Sequence, residues 1–210
     1  MTQTAFDNSS LFEPGPLPGL GHYPDYIGEA EAAACIDFID RQPWSCELLR
    51  RRQWYGWAYD DSLYGGADEY RPQPMPDCLA GLAKRLHGDG YFAGVPDRVL
   101  VNEYFPGQGI GAHKDRDSEH IAAVAILSLG SAIMMDFTRF GHATRSYYLR
   151  PRSLVIMRGE ARTRWMHGIV GRKTDRVGGL VVPRGRRLSL TFRYAARDDS
   201  LAPRDGAESG

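Results

Sequence analysis

The seven residues from Arg187 to Arg193 read Arg-Leu-Ser-Leu-Thr-Phe-Arg and constrain the fold more than any other segment. Side chains alternate between the two faces of a β-strand, so the two arginines share one face with the hydroxyl residues between them. The leucines and the phenylalanine occupy the other face, which suits a core. Guanidinium groups on a buried strand need an anion to balance their burial. The segment therefore predicts a sheet with an anion-binding cavity on one side.

The second feature is a set of possible metal ligands that are far apart in the sequence, namely His113, Asp115 and His167. Two imidazoles and one carboxylate hold non-haem Fe(II) and leave coordination positions open. On a β-strand, His113 and Asp115 would point to the same side. Zinc sites more often use cysteines or three histidines. The mixed nitrogen and oxygen set therefore favours Fe(II), with Mn(II) or Co(II) as non-productive occupants.

A His-x-Asp segment is a weak signal by itself, because it also fits a surface turn after the glycine-rich residues 107–111. Its neighbours strengthen it. Asn102 and Tyr104 lie upstream on one face of a predicted strand, and His167 stands directly before Gly168, where the backbone can turn sharply. A metal site beside an arginine-lined anion site indicates an oxygenase whose cosubstrate is a dicarboxylate.

The composition is that of a globular protein of 210 residues, which is long enough for one domain with a sizeable core. A formal net charge of +0 excludes a protein that binds nucleic acid simply as a polycation. Arginines are concentrated between residues 150 and 193, which fits either a local basic surface or an ordinary solvated face. The 3 cysteines lack metal-type spacing, and we see no secretory signal or membrane-length apolar run. We expect a cytoplasmic monomer that does not bind membranes.

Hydrophobic periodicity predicts two helices before residue 99 and a series of strands after it. Apolar residues recur at helical spacing from Ile27 to Ile39, and again after Pro76-Asp77. The short β-rich runs are Val99–Phe105, Ile121–Leu129, Ile133–Phe137, Tyr147–Leu149, Ser153–Met157 and Leu188–Tyr194. This order predicts an α+β, mainly β fold, in which a closed or double-sheet β structure has helical support on one side.

In its site residues and their order along the sequence, the chain resembles the AlkB family of Fe(II)- and 2-oxoglutarate-dependent dioxygenases. The motifs that carry the resemblance are, in order, Asn102-x-Tyr104-x-x-Gly107, His113-x-Asp115, His167 and Arg187-x-Ser189-x-Thr-Phe-Arg193. They extend over roughly the C-terminal half of the chain. The resemblance implies a double-stranded β-helix (jelly roll) with supporting N-terminal helices and a metal at one open end.

The same resemblance assigns roles to the motif residues. It makes His113, Asp115 and His167 the iron ligands and the catalytic residues, with O₂ and 2-oxoglutarate as cosubstrates. Arg193 would pair with the distal carboxylate of 2-oxoglutarate, and Arg187 would lie near its metal-side carboxylate. The implied 2-oxoglutarate-binding residues are Asn102, Tyr104, Arg187, Ser189 and Arg193.

Ser189 is a departure from the pattern, because many DNA-repair members of the family have asparagine there. Serine keeps a hydroxyl but lacks the paired donors and acceptor of an amide. The run Val-Asn-Glu-Tyr-Phe-Pro-Gly-Gln-Gly-Ile-Gly-Ala-His looks closest to the tRNA-modifying branch. We expect one AlkB-like dioxygenase domain at 1–196. Helical support and the substrate lid would occupy 25–98, the β-helix core 99–194, and a disordered tail 197–210.

Cations and aromatic residues are interleaved between residues 50 and 59, a region that resembles the family's lid over the nucleotide. Arginines meet phosphates and bases stack on aromatic rings. An enzyme that acts on a base must select a single strand or flip the base out. The same aromatic residues would also fit a strand that faces the core. The predicted substrate-binding residues are Arg51, Arg52, Trp54, Tyr55 and Tyr59.

Together these patterns favour an oxidoreductase that oxidises alkyl groups on nucleic-acid bases, as in oxidative demethylation of alkylated DNA or RNA during DNA repair. A tRNA wobble-base hydroxylase is an alternative from the same family. Another alternative keeps the iron chemistry but takes a protein or small-molecule substrate. A non-enzymatic jelly-roll binding module with a structural metal is disfavoured by the open ligand set and the arginine-bearing strand.

Overall fold

The computed structural model describes residues 17–46, 50–56, 74–115 and 122–194. Its helices are α1 (Glu29–Asp40), α2 (Asp77–Gly88) and the short α3 (Gly159–Thr163). Its strands are β1 (Leu20–Tyr23), β2 (Arg52–Gly56), β3 (Arg98–Tyr104), β4 (Ile110–His113), β5 (Ala123–Gly130), β6 (Ile133–Thr138), β7 (Arg145–Leu149), β8 (Leu154–Arg158), β9 (Met166–Ile169), β10 (Thr174–Val177), β11 (Leu180–Pro183) and β12 (Arg187–Arg193).

Two antiparallel sheets form the body of the described chain. The larger sheet has the strand order β1-β8-β5-β12-β3-β2, and the smaller has the order β4-β9-β6-β7. Strands β10 and β11 form a separate hairpin. A core that includes Ile126, Phe137 and Leu149 fills the space between the two sheets. This arrangement confirms the predicted mainly β, jelly-roll fold.

The two long helices cover the outer face of the larger sheet. In α2, Leu79, Leu82, Ala83 and Leu86 are all buried, as their spacing predicts. In α1 the buried face is Ala32, Cys35 and Ile39, which is rotated from the predicted stripe because Ala30 and Ala34 are exposed. The helices thus provide the predicted support on one side of the β structure.

Strand β12 lies in the middle of the larger sheet, between β3 and β5. Its apolar residues Leu188, Leu190 and Phe192 are almost completely buried in the core under the helices. Its other face looks into the space between the sheets, so the alternating pattern of the sequence is realised as predicted. That placement directs Arg187 and Arg193 toward the inside of the jelly roll.

Several elements were not predicted, and each has little sequence signal. Strands β4 and β9 are four residues long and contain glycine, which weakens strand propensity. Strand β2 comes from the region expected to be helical support and lid, and β1 precedes that region, yet both form edges of the larger sheet. The predicted tail at 197–210 lies outside the described residues.

Within the described ranges, none of the helices has the length and hydropathy needed to cross a membrane.

Candidate metal centre and cosubstrate pocket

Three side chains that are distant in sequence converge at one end of the smaller sheet. His113 is the last residue of β4 and lies opposite His167 on β9. The sequence suggested that Asp115 lies on the same strand as His113. In the structure, β4 ends at His113 and Asp115 follows two residues later. One ligand atom from each of His113, Asp115 and His167 lies within 4.8 Å of the others. The predicted triad is therefore brought together.

The local hydrogen bonds orient His113 for metal binding. Its Nδ1 lies 2.9 Å from the carbonyl oxygen of Gly111. A carbonyl can only accept, so Nδ1 carries the proton and Nε2 keeps its lone pair. That Nε2 is 3.7 Å from Oδ1 of Asp115, on the side where the triad meets. Second contacts of this kind commonly fix the orientation of metal-binding histidines.

Electrostatics keep the triad in the protonation state that a cation requires. Burial lowers the pKa of His167 to about 4, so the ring is neutral and its nitrogen can donate to a metal. Burial by itself would raise the pKa of Asp115, but the nearby Arg193 guanidinium lowers it below its usual value. Oδ2 of Asp115 is buried and has no hydrogen-bond partner among the described residues. A neutral nitrogen of His167 and an anionic oxygen of Asp115 fit Fe(II), and Nε2 of His113 offers the second nitrogen.

Arg193 lies at the metal end of the pocket, since its Nη2 donates to Oδ1 of Asp115 at 2.9 Å. Arg187 lies at the other end of β12, six residues or roughly 20 Å along the strand. The sequence-based expectation had the two arginines in the reverse order, with Arg187 near the metal. Alternation along a strand predicts a shared face but not which end meets the metal, and this is why the order was wrong.

Arg187 is a buried cation inside the protein, with donors directed into the pocket region. The residue is 1% exposed, and its Nη2 donates to Oγ of Ser128 at 2.9 Å. Its guanidinium carbon is 5.5 Å from the centre of the Tyr104 ring. The Nε and Nη1 donors have no partner in the described part of the chain. Burial lowers the pKa of Arg187 to about 10, which leaves it charged at neutral pH and ready for an anion.

A polar row crosses three strands between the two arginines. Ser128 on β5, Ser189 on β12 and Asn102 on β3 are direct cross-strand neighbours, and all three are buried. In the next row, Arg187 lies beside Tyr104. Buried polar groups on one face of a core sheet are typical of a ligand pocket. Asn102, Tyr104, Arg187, Ser189 and Arg193 thus share one face of the larger sheet, and their role in binding 2-oxoglutarate stays a prediction.

Arg50 also belongs to this site, although the sequence reasoning did not single it out. Its Nε donates to Oδ1 of Asn102 at 2.8 Å, and its guanidinium carbon is 5.6 Å from the centre of the Tyr104 ring. Tyr104 therefore has contacts with both Arg50 and Arg187. The run of three arginines at 50–52 was a signal of positive charge, but nothing in it indicated which one faces the pocket.

The predicted substrate lid is divided by the pleat of β2. Arg52 lies opposite Asn102, on the face of the metal site, and its guanidinium carbon is 4.4 Å from the centre of the Trp54 ring. Tyr55 is buried among the core residues under the helices, and its hydroxyl donates to Gln53 at 2.8 Å. Neighbouring strand residues point to opposite faces, so Tyr55 cannot reach a substrate at the metal.

Arg51 is likewise directed away from the metal. Its Nη2 is 2.9 Å from Oε1 of the fully buried Glu103, which also pairs with Arg186. Arg51 and Tyr55 are therefore structural, and their predicted role in substrate binding is corrected. Tyr59, the remaining predicted lid residue, lies outside the described residues.

Comparison with known proteins agrees with this geometry. The model of the 2OG-Fe(II) oxygenase superfamily matches residues 38–193. The mouse tRNA (carboxymethyluridine(34)-5-O)-methyltransferase ALKBH8 is 36% identical over 204 residues, which cover 86% of this chain and 31% of the mouse protein. The chain thus spans about a third of that relative, whose named activity belongs to the whole mouse protein.

Two further comparisons cover most of the chain. The alpha-ketoglutarate-dependent dioxygenase AlkB of Salmonella typhimurium is 32% identical over 154 residues and is matched over 69% of both chains. The solved structure of OsALKBH1 superimposes with a TM-score of 0.65 at 18% identity, covering 85% of this chain and 99% of that one. At this identity the structural match supports the fold alone.

Proposed function

The chain belongs to the 2OG-Fe(II) oxygenase superfamily and is homologous to AlkB-family proteins. It is therefore an Fe(II)- and 2-oxoglutarate-dependent dioxygenase, and we propose that it oxidises alkyl groups on nucleic-acid bases. The observation that carries this proposal is the convergence of His113, Asp115 and His167 beside an arginine-lined pocket. The relatives support the substrate class, since they include a tRNA-modifying enzyme and a zebrafish protein named as a probable RNA/DNA demethylase.

In the proposed mechanism, His113 Nε2, one imidazole nitrogen of His167 and a carboxylate oxygen of Asp115 hold Fe(II). When bound, iron and 2-oxoglutarate together activate O₂ for oxidation of a substrate C–H bond. The contact from Arg193 favours the ionised form of Asp115, whose Oδ2 has no hydrogen-bond partner among the described residues, so this carboxylate would supply the anionic ligand. The closely packed rings of Phe137 and His167, with centroids 6.1 Å apart, shield this side of the site from water.

We further propose that Arg187 binds the distal carboxylate of 2-oxoglutarate through donors that are otherwise unpaired. Tyr104 and Ser189 have hydroxyl groups on the same face and would donate to the cosubstrate. Arg193 would lie beside the metal-side carboxylate, because it already contacts Asp115. This assignment exchanges the roles expected from the sequence for the two arginines.

Arg50 acts in this proposal as a positioning residue. Arginine can only donate, so its bond to Asn102 requires the amide oxygen to face Arg50. The amide nitrogen of Asn102 then faces away from Arg50 and is available to a carboxylate. Contact with the Tyr104 ring restrains the phenol in the same way. Arg50 thus aligns two donors for the cosubstrate without binding it.

For the nucleic acid, we propose that Arg52 and Trp54 contact the substrate beside the metal site. Both are on the face of β2 that carries the pocket, and both are partly exposed. Trp54 offers a ring for stacking and Arg52 a cation for a phosphate. The base would enter from a single strand or after flipping, because chemistry at a base requires it outside the stack.

Hydroxylation of a tRNA wobble base is the second candidate. It is favoured by the similarity to the mouse tRNA-modifying enzyme and by Ser189, where many DNA-repair relatives have asparagine. An N-methyl group that is hydroxylated breaks down to formaldehyde and the bare nitrogen, whereas a hydroxyl on a stable carbon remains. The two candidates therefore differ in their products.

The test is succinate formation by the whole chain with Fe(II) and 2-oxoglutarate. Separate reactions contain N-methylated single-stranded DNA, the matching RNA, tRNA, or no primary substrate. We expect stimulation by at least one nucleic acid, with formaldehyde from a demethylation or a mass gain of one oxygen from a stable hydroxylation. Succinate without stimulation by any nucleic acid would contradict the proposal and favour a protein or small-molecule substrate.

We also propose that the protein acts as a monomer in the cytoplasm. The described cysteines Cys35, Cys46 and Cys78 are all free thiols, which suits a reducing compartment. Sedimentation at several concentrations tests the oligomeric state, and a concentration-dependent increase in mass would contradict it.

A further inference from the structure

Phe140 lies in the connection between β6 and β7, and its side chain is completely exposed, at 102% of the reference area. It is the most exposed large hydrophobic residue in the described part of the chain. Isolated apolar residues are common on protein surfaces, so exposure by itself does not indicate function. The way in which the protein holds this ring is more informative.

A tight turn displays the ring. The backbone nitrogen of His142 donates to the carbonyl oxygen of Arg139 at 3.1 Å, and Gly141 has a φ of +75°. A positive φ at the third position is the requirement of a type II turn, and glycine meets it without strain. Phe140 occupies the second position of the turn, at its tip, and the backbone therefore directs its side chain into solvent.

Both ends of the turn are fixed to the segment that leads into β9. Arg139 donates through Nη1 to Oε2 of Glu160 at 3.0 Å. On the other side, the ring of His142 packs on Trp165, with centroids 5.5 Å apart, and Trp165 is itself buried. A turn whose ends are already fixed loses little backbone freedom on binding. The position of Phe140 is thus preorganised for contact with a partner.

The turn is close to the metal triad. Phe137 on β6 lies opposite His167 on β9, and Phe140 follows three residues later. At the rise of a β-strand, this is roughly 10 Å beyond the metal row. Neighbouring nucleotides along one strand of a duplex are about 3.4 Å apart. A base within about three nucleotides of the reacting base would therefore lie at the distance of Phe140.

The charges around the turn suit a polyanion. Arg139 and Arg164 share the carboxylate of Glu160 beside the turn, so this cluster has an excess of positive charge. Cations beside an aromatic ring are the combination that binds single-stranded nucleic acid, because phosphates meet the cations and a base stacks on the ring. An apolar protein partner or a membrane would not account for both features at once.

We propose that Phe140 stacks on a base that flanks the target base in a single-stranded nucleic acid, while the neighbouring arginines contact its phosphates. The proposal rests on the nucleic-acid substrate proposed above. It assigns the β6–β7 turn as a second contact surface, distinct from Arg52 and Trp54 on β2.

The test compares Phe140→Ala and Phe140→Trp in the whole chain. Binding is measured with fluorescently labelled single-stranded RNA and DNA of equal sequence. We expect Phe140→Ala to weaken binding by about fivefold or more, which is the lower range for loss of one stacked base, and Phe140→Trp to retain it. Leu180→Ala is the matched control, because Leu180 is an exposed apolar residue on β11. Equal melting temperatures verify that all variants are folded.

A base analogue whose fluorescence falls on stacking gives a second readout. Placed one to three nucleotides from the target base, it should be quenched by the wild-type protein and not by Phe140→Ala. Tight wild-type binding that Phe140→Ala leaves unchanged, or an equal loss in Leu180→Ala, would overturn the stacking proposal alone. If the wild-type protein binds neither RNA nor DNA, the proposed nucleic-acid function fails as well, and the two failures are thereby distinguished.

Discussion

Asp115 shows how single residues define this site. Its carboxylate is largely buried, yet the adjacent Arg193 guanidinium keeps its pKa below the usual value. One of its oxygens is occupied by Arg193 and the other has no described partner. The side chain is therefore preorganised to bind a cation.

The first prediction concerns this carboxylate. Asp115→Asn keeps the shape and an oxygen for Arg193 but removes the negative charge that a ferrous ion requires. We expect affinity for Fe(II) to fall by more than about 100-fold. This exceeds the loss that follows when a hydrogen-bond partner of a metal-binding side chain is removed. Iron content after equilibrium dialysis measures it. Glu160→Gln, at a partly exposed carboxylate of α3, should retain iron, and retention of iron by Asp115→Asn would remove Asp115 from the ligand set.

The second prediction distinguishes the two ends of the pocket. Arg187→Lys shortens the donor array in a completely buried position, so we expect the KM for 2-oxoglutarate to rise by about tenfold or more. Arg41→Lys, at an exposed arginine directly after α1, is the control and should leave this KM unchanged. Steady-state kinetics at varied 2-oxoglutarate provide the values. A wild-type KM in Arg187→Lys would show that the distal carboxylate binds elsewhere.

Arg50 gives the third prediction. Arg50→Met removes the donor that orients Asn102 and leaves the metal ligands in place. We expect a rise of about five- to tenfold in the KM for 2-oxoglutarate, with kcat within about twofold, because cosubstrate binding is weakened and not the chemistry. Arg50→Lys should restore part of the affinity. A loss of kcat at unchanged KM would indicate that Arg50 acts on the nucleic acid.

The sequence was informative about the residue types of the site and less so about their arrangement. Motif spacing identified His113, Asp115 and His167, whose contacts are formed between neighbouring strands and could not be read from distance along the chain. The order of Arg187 and Arg193 was wrong, because the pattern of one strand carries no information about its neighbours. Arg50 was overlooked for the same reason, since its bond to Asn102 spans 52 positions.

At the level of elements, β12 links stability to function. One of its faces packs under the helices, and the other carries the pocket. The alternation of apolar and polar residues in β12 was predictable, because each side chain of a central strand faces one of two different environments. Four strands could not be predicted in this way, namely the edge strands β1 and β2 and the short β4 and β9. They form because they pair with the rest of their sheets, and their local propensity for strand is weak.

The fourth prediction tests this role of β12. Leu190 is fully buried in the strand, and Leu190→Ala should lower the free energy of unfolding by about 2–5 kcal/mol through the cavity it creates. Leu180→Ala on the exposed face of the β10–β11 hairpin should change it by less than about 0.5 kcal/mol. Urea unfolding of both variants makes the comparison. Equal stabilities would mean that β12 does not contribute to the core as described.

In the whole molecule, the larger sheet lies between the supporting helices and the candidate active site. The helices, Tyr55 and the Glu103 ion pairs lie on its outer side, and the metal triad and the arginines lie toward the smaller sheet. The substrate surface is proposed on the same side, with β2 at one edge and the β6–β7 turn beside the metal. A formal net charge of +0 is compatible with nucleic-acid binding because Arg52 on β2 is a local cation on this side.

The most direct measurement is a crystal structure of the whole protein grown without oxygen in the presence of Mn(II) and 2-oxoglutarate. Mn(II) replaces Fe(II) without allowing turnover. We predict one ion bonded to His113, Asp115 and His167, with the distal carboxylate of 2-oxoglutarate on Arg187. An ion bound elsewhere, or His167 directed away from the other two ligands, would contradict the account.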